Sequence, residues 1–203
     1  MIIEHKKFGF DLDNTLINYS KSVLEYCRSN KLSNCKNISE LKQLLRKSDA
    51  SSYNWQLAQG WLYSHGLKFA EPNSGSIELC SYLKSEGYDL FIVSHKTSHS
   101  PDFCGHLPLR DLAAEWIKNS PLLKFFTTSD QIFFEPTKDY KVKKIRELKL
   151  GIFVDDLEEV LIHSQFPSGT RRFLLSDSTI QNSHFVTVKN LNDIQKIMDY
   201  EHK

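Results

Sequence analysis

The chain lacks an excess of either charge, any Cys-x-x-Cys pair and any long apolar run. Its 26 Lys and Arg face 25 Asp and Glu, a net charge of +1 over 203 residues. No broad field is left to draw nucleic acid or a membrane surface, and neither partner is expected. The four cysteines are Cys27, Cys35, Cys80 and Cys104. At least two fall in helix-face patterns where a small buried hydrophobe fits, which predicts reduced thiols and a cytoplasmic setting. No stretch approaches the length needed to span a bilayer, and no signal-peptide apolar region precedes the first strand, so a soluble protein is expected. Repeats and low-complexity segments are absent as well. The length leaves room for one core domain and a modest insertion.

What the chain does have is concentrated at four places. Phe8-Gly9-Phe10-Asp11-Leu12-Asp13-Asn14-Thr15-Leu16 gives an apolar run, two carboxylates two residues apart, a turn former and a hydroxyl. Two anionic groups forced together repel unless a cation or a shared proton relieves them, so the pair reads as a hard-metal site beside a nucleophile. The plainer alternative is an Asx turn in which Asp13 or Asn14 caps a helix, and so short a motif arises often by chance. Tyr88-Asp89-Leu90-Phe91-Ile92-Val93-Ser94 is β-rich and stops at a hydroxyl. That places Ser94 at the C-terminal end of a strand, where open α/β sheets bind ligands. Thr137-Lys138-Asp139-Tyr140-Lys141 opens a helix whose apolar face is Val142, Ile145 and Leu148, and it offers Lys141, with Lys138 as the rival. Gly151-Ile152-Phe153-Val154-Asp155-Asp156 is again an apolar strand that delivers two acids at its end. Carboxylates, a hydroxyl, an ammonium and more carboxylates, each at a strand end or helix start, suit a phosphoryl group held by magnesium.

Between the first two motifs lie three short apolar faces: Val23, Leu24 and Cys27; Ile38, Leu41, Leu44 and Leu45; Trp55, Ala58, Trp61 and Leu62. They predict a small helical insertion over 17–72. Pro72-Asn73-Ser74-Gly75 marks the return, followed by a helix with Ile77, Cys80 and Leu83 on one face. Strands at about 88–93, 131–134, 150–154 and 172–175 alternate with helices at about 109–118, 140–149 and 156–163, and 185–199 closes with a strand and a helix capped by Asn190. This alternation predicts an α/β fold, a Rossmann-like three-layer core around a parallel sheet, built from 1–16 and 73–203. The loop after Ser94 holds His95, His99, Cys104 and His106, a set that raises zinc, although the spacing matches no ordinary structural zinc pattern and a solvated loop is the commoner origin. His95 and Lys96, one and two residues past Ser94, also suit an anionic substrate.

In Asp11-x-Asp13-x-Thr15, Ser94, Lys141 and Asp155-Asp156 the chain resembles the haloacid dehalogenase-like superfamily of phosphatases and phosphotransferases. Similar chains with a short helix before an Asp-Asp ending place their lysine at about the separation of Lys141 from the acids, which favours it over Lys138. Asn14 stands where glycine is common, and the fourth motif is Asp-Asp in place of Gly-Asp; both variants occur in working members.

The resemblance implies that residues 17–72 are a cap over the active site that selects the substrate. Its Tyr53, Trp55, Trp61 and Tyr63 suit a ring, and equally suit their own core. The resemblance further implies Asp11 as nucleophile and Asp13 as the acid that protonates the leaving alkoxide and then activates water. Magnesium would be held by Asp11, the backbone carbonyl of Asp13 and Asp156, with Asp155 as ligand or close behind. Ser94 and Lys141 would bind phosphoryl oxygens, and Asn14 and His95 join that set. The second acid points away from dehalogenase chemistry, because halide needs no proton to leave. A phosphatase acting on a small phosphorylated metabolite is the leading expectation. A phosphotransferase or phosphomutase with the same residues and a non-catalytic phospho-ligand-binding module are the alternatives.

Overall fold

The computed structural model describes residues 6–48, 51–98 and 107–201. Contacts divide the chain into two units, one made of Met1–Leu16, Pro72–Lys96 and Pro121–Lys203, the other of Ile17–Glu71 and Thr97–Ser120.

The first unit is built on six parallel strands: β1 (Lys7–Phe10), β4 (Asp89–His95), β5 (Ile132–Glu135), β6 (Ile152–Asp155), β7 (Arg171–Leu175) and β8 (Val186–Val188). Two further strands, β2 (Ile17–Asn18) and β3 (Glu71–Pro72), form a separate two-residue ribbon. The large sheet runs in the order β5-β4-β1-β6-β7-β8, with Phe10 level with Ile92 on one side and with Val154 on the other. A central strand of a parallel sheet whose two faces are covered by helices is apolar on both, which is why Phe8-Gly9-Phe10 is a continuous buried run. Gly9 is required by contact: a Cβ there would lie 2.4 Å from Leu150 Cδ1 and 2.7 Å from Phe153 Cδ2. The chain leaves β1 toward β4 and β5, then returns to β6 on the other side. The C-terminal end of β1 is thus the switch point of the sheet, where such folds open a crevice.

Helices cover both faces. α4 (Ser76–Ser85) meets α8 (Leu191–Glu201), joined by Tyr82 Oη donating to Asp199 Oδ1 at 2.7 Å. α6 (Lys138–Glu147) and α7 (Glu158–Leu161) bury Val142, Ile145, Val160 and Leu161 with Val93, Phe153 and Leu174 from the strands and Leu150 from the link before β6. The helix expected at 156–163 shortens to four residues, because Asp155 Oδ1 accepts from Leu157 N at 3.0 Å and holds the chain in a turn after β6.

The second unit contains α1 (Ser20–Ser29), α2 (Ile38–Ser48), α3 (Tyr53–Leu62) and α5 (Leu109–Asn119). Val23, Cys27, Leu41, Leu45, Trp55, Ala58 and Leu62 form its core, while Leu24 is exposed. The helix at 109–119 forms as its stripe predicts, with Leu109, Ala113 and Ile117 buried. However, the sequence division counts it with the sheet, and here 97–120 packs with 17–71. Trp116 Nε1 donates to Ala70 O at 3.4 Å. No helix among the described residues is long and apolar enough to cross a membrane.

Candidate active site

Three elements of the first unit deliver the charged groups. β1 ends at Phe10, and Asp11 continues its ladder by donating its N–H to Val154 O at 2.9 Å. β6 ends at Asp155, and Asp156 follows. α6 begins at Lys138 because Thr137 caps it, its hydroxyl accepting from Tyr140 N at 3.3 Å. Lys141 lies on the buried stripe with Val142 and Ile145, so its side chain turns inward. Lys138, one turn earlier on the same helix, pairs at the surface with Glu159.

The result is a compact charge cluster. Lys141 Nζ lies 2.5 Å from Asp11 Oδ1 and 2.6 Å from Asp155 Oδ2, with the lysine 1% exposed. Asp11, Asp155 and Asp156 each offer a carboxylate oxygen within 4.8 Å of the others. Burial pushes the Asp11 carboxyl up to about 7; Lys141 opposes the shift and the Asp155 and Asp13 charges add to it. Asp156 is raised in the same direction, by burial first and then by Asp155 and Asp11. Burial works against the Lys141 ammonium, yet Asp11 and Asp155 more than offset it and raise its pKa. Three converging carboxylates, two of them held above the carboxylate range, with oxygen as the only donor atom, fit a hard divalent cation.

The turn after β1 is held from several sides. Asn14 adopts φ +60°, the left-handed region that asparagine and glycine tolerate best, which accounts for asparagine where glycine is common. Its Nδ2 donates to Asp156 Oδ2 at 3.2 Å. Asn73 Nδ2 donates to the carbonyls of Asn14 and Thr15 at 3.1 and 3.0 Å, and Asn73 N donates to Leu16 O at 2.8 Å. Asp13 points elsewhere from Asp11: its Oδ2 lies 2.7 Å from Lys96 Nζ.

Solved structures share this architecture. A predicted phosphatase from Clostridium acetobutylicum superposes with a TM-score of 0.60 at 15% identity, the match covering 96% of this chain and 99% of that one. A HAD-superfamily hydrolase from Ehrlichia chaffeensis gives a TM-score of 0.56 at 18% identity, with 97% of both chains covered. The chain has the haloacid dehalogenase-like fold. A HAD family hydrolase from Deinococcus radiodurans, solved with bound phosphate and sodium, matches at a TM-score of 0.59 and 10% identity over 97% of this chain and 96% of that one. No family model matches the chain, and no curated protein is significantly similar to it in sequence.

On this haloacid dehalogenase-like fold the residues singled out in the sequence gather unevenly. Asp11, Lys141, Asp155 and Asp156 form one cluster, and Asn14 joins it through Asp156. Ser94 is buried on β4 one residue before the strand ends, two positions past the Phe10–Ile92 level. His95 is engaged by backbone: its Nε2 is 3.1 Å from Pro136 O, and a carbonyl can only accept, so the ring's N–H points there. Burial, then Lys141, lowers its pKa. The histidines and cysteine at 99–106 lie outside the described residues. Two structural roles escaped the sequence reading. Asn73 reads as a plain turn residue in Pro-Asn-Ser-Gly, and nothing local marks it as the staple of the first motif. Lys96 reads as a loop cation for substrate, whereas it is 3% exposed and committed to Asp13.

Proposed function

We propose that the protein is a magnesium-dependent phosphatase that hydrolyses a small phosphorylated metabolite through an aspartyl-phosphate intermediate on Asp11. One observation carries the reading: Asp11, Asp155 and Asp156 converge within 4.8 Å at the switch point of the sheet, with a buried ammonium on two of them. Asp11, Asp156 and the Asp13 carbonyl would hold magnesium, with Asp155 as a further ligand or immediately behind. Once bound, the ion supplies the positive charge that lets a carboxylate approach a phosphate dianion. Asp11 attacks phosphorus as the bond to the leaving oxygen breaks, and Asp13 gives that oxygen its proton. Asp13 then takes a proton from the attacking water as the Asp11–phosphorus bond is cleaved, releasing inorganic phosphate. Lys141 orients Asp11 and offsets the clustered carboxylates, and Ser94 stands at the neighbouring strand end as a hydroxyl for a phosphoryl oxygen.

The Deinococcus radiodurans structure, which carries phosphate, supports a phosphoryl ligand for this architecture. The buried free thiols of Cys27, Cys35 and Cys80 support a reducing, cytoplasmic setting. The test is phosphate release from p-nitrophenyl phosphate with magnesium and its loss on chelation. No turnover on any of a broad panel of phosphate esters with magnesium present would leave a phospho-ligand-binding module as the better reading. Transfer of phosphate to an added alcohol or sugar in preference to water would make it a phosphotransferase.

A further inference from the structure

Asp13 lies three residues beyond β1, on the turn that reverses at Asn14, and its Oδ2 meets Lys96 Nζ at 2.7 Å. The lysine side chain is 2% exposed and the aspartate side chain 12%. Lys96 is one residue past the end of β4, yet its backbone is fixed: its N–H donates to Glu135 O at 2.9 Å, extending the β4–β5 pairing by one step. A rigid strand end therefore carries a flexible four-carbon stem across to the turn after the adjacent strand. Ordering that stem costs rotamer entropy, and withdrawing the two charges from water carries a desolvation cost. A salt bridge of this kind is weak evidence for stability.

We infer that Lys96 is the positioning residue for Asp13, fixing through Oδ2 the carboxylate that serves as acid and then as base; the inference rests on the phosphatase reading above. One carboxylate has to meet two different oxygens in turn, first that of the leaving group and then that of water. A group with two roles in one cycle gains most from a fixed plane, since small displacements of a proton donor reduce the rate steeply. Lys141 performs the corresponding service for Asp11. The two acids of the first motif are thus held apart by two ammoniums, one from the end of β4 and one from the first turn of α6.

Lys96→Met and Lys96→Arg, each with native Asp13 and with Asp13→Asn, are assayed on p-nitrophenyl phosphate and on an alkyl phosphate. Nitrophenolate leaves without a proton and an alkoxide does not. Lys96→Met is expected to lower kcat on the alkyl ester about tenfold to a hundredfold more than on the nitrophenyl ester, with KM little moved. Lys96→Arg restores part of that loss, and in the Asp13→Asn background Lys96→Met adds no further alkyl-specific loss. Should the methionine variant not fold, Lys96→Gln carries the same comparison. Equal losses on the two esters, a rise in KM alone, or additive losses with Asp13→Asn overturn the assignment and make Lys96 structural or a ligand for the substrate. Native protein without turnover on either ester removes the phosphatase reading and this inference together, whereas native turnover with equal losses removes this inference alone.

Discussion

Ser22 and Ser64 are the buried polar side chains of the second unit among the described residues, and the charged residues Asp11, Asp13, Lys96, Lys141 and Asp155 are all buried in the first. The serines are cheaply satisfied: Ser22 Oγ donates to Gly66 O at 2.8 Å and Ser64 Oγ to Gly60 O at 2.6 Å. Paired charges are another matter, since an apolar replacement of such a pair is often as stable or more so. The helical unit is arranged as a molecule that only has to fold. The sheet unit holds groups that work against folding, gathered at one edge, and the natural reason to keep them is chemistry.

The sharpest way to break this contrast is Asp11→Asn. A neutral amide is a poor nucleophile and a weaker metal ligand, so turnover should fall by more than about a thousandfold. Melting temperature without metal should hold or rise, because the substitution removes one of three crowded carboxylates. A variant that keeps turnover, or that loses it only by unfolding, would place Asp11 with the structural residues.

Lys141→Ala should hurt both properties. It leaves Asp11 and Asp155 buried without their cation, a loss of about 3 to 5 kcal/mol by the usual cost of breaking one half of a buried pair. Phosphate affinity and kcat should fall with it. Lys138→Ala, at a surface pair with Glu159, should change stability by no more than about 1 kcal/mol and leave turnover near native. Chemical denaturation and phosphatase assays on both variants settle the ranking; the reverse order would mean that the inward lysine of α6 is not the working one.

Proton and metal should compete for the same carboxylates. Asp11 is raised to about 7 and Asp156 is raised also, so the unfolded chain gives up these protons more readily than the folded one. The stability they contribute is complete below about pH 4, the unfolded carboxylate range, and is lost as pH rises through about 7. Magnesium needs the ionised forms. The rise in melting temperature on adding magnesium should therefore be larger at pH 8 than at pH 5.5. A shift independent of pH, or larger in acid, would mean that the ion binds elsewhere.

Much of the first unit was legible because its strands are short apolar runs that end in chemistry. Phe8–Phe10 and Phe153–Val154 are buried in strands paired on both edges, and the acids that follow each run come at the sheet's C-terminal edge. The division between units was less legible. Leu109, Ala113 and Ile117 announce a helix with a buried face, but periodicity says nothing about which surface covers it, and 97–120 went to the helical unit. The Lys96–Asp13 pair was hidden for the same reason. It is a contact between the ends of two strands, set by the parallel pairing of β1 with β4, and no local spacing encodes it.

The smallest expected effect tests whether the second unit has any part in function. Tyr63 packs on Tyr19 with ring centroids 5.4 Å apart, and Trp55 is buried in the helical core, so both are accounted for by packing. Tyr53, the first residue of α3, is 49% exposed and lies outside that core. Tyr63→Ala should lower the melting temperature and all activities together. Tyr53→Ala should change stability by no more than about 0.5 kcal/mol, as exposed substitutions usually do. If this unit selects the substrate, that variant should reorder the preference among phosphate esters by a few fold while still hydrolysing acetyl phosphate, whose small size gives a selecting surface little to hold. A stable Tyr53→Ala protein with an unchanged order of substrates would leave the exposed aromatic without a role, and the same outcome across the polar face of α3 would count against any part for this unit in choosing the substrate.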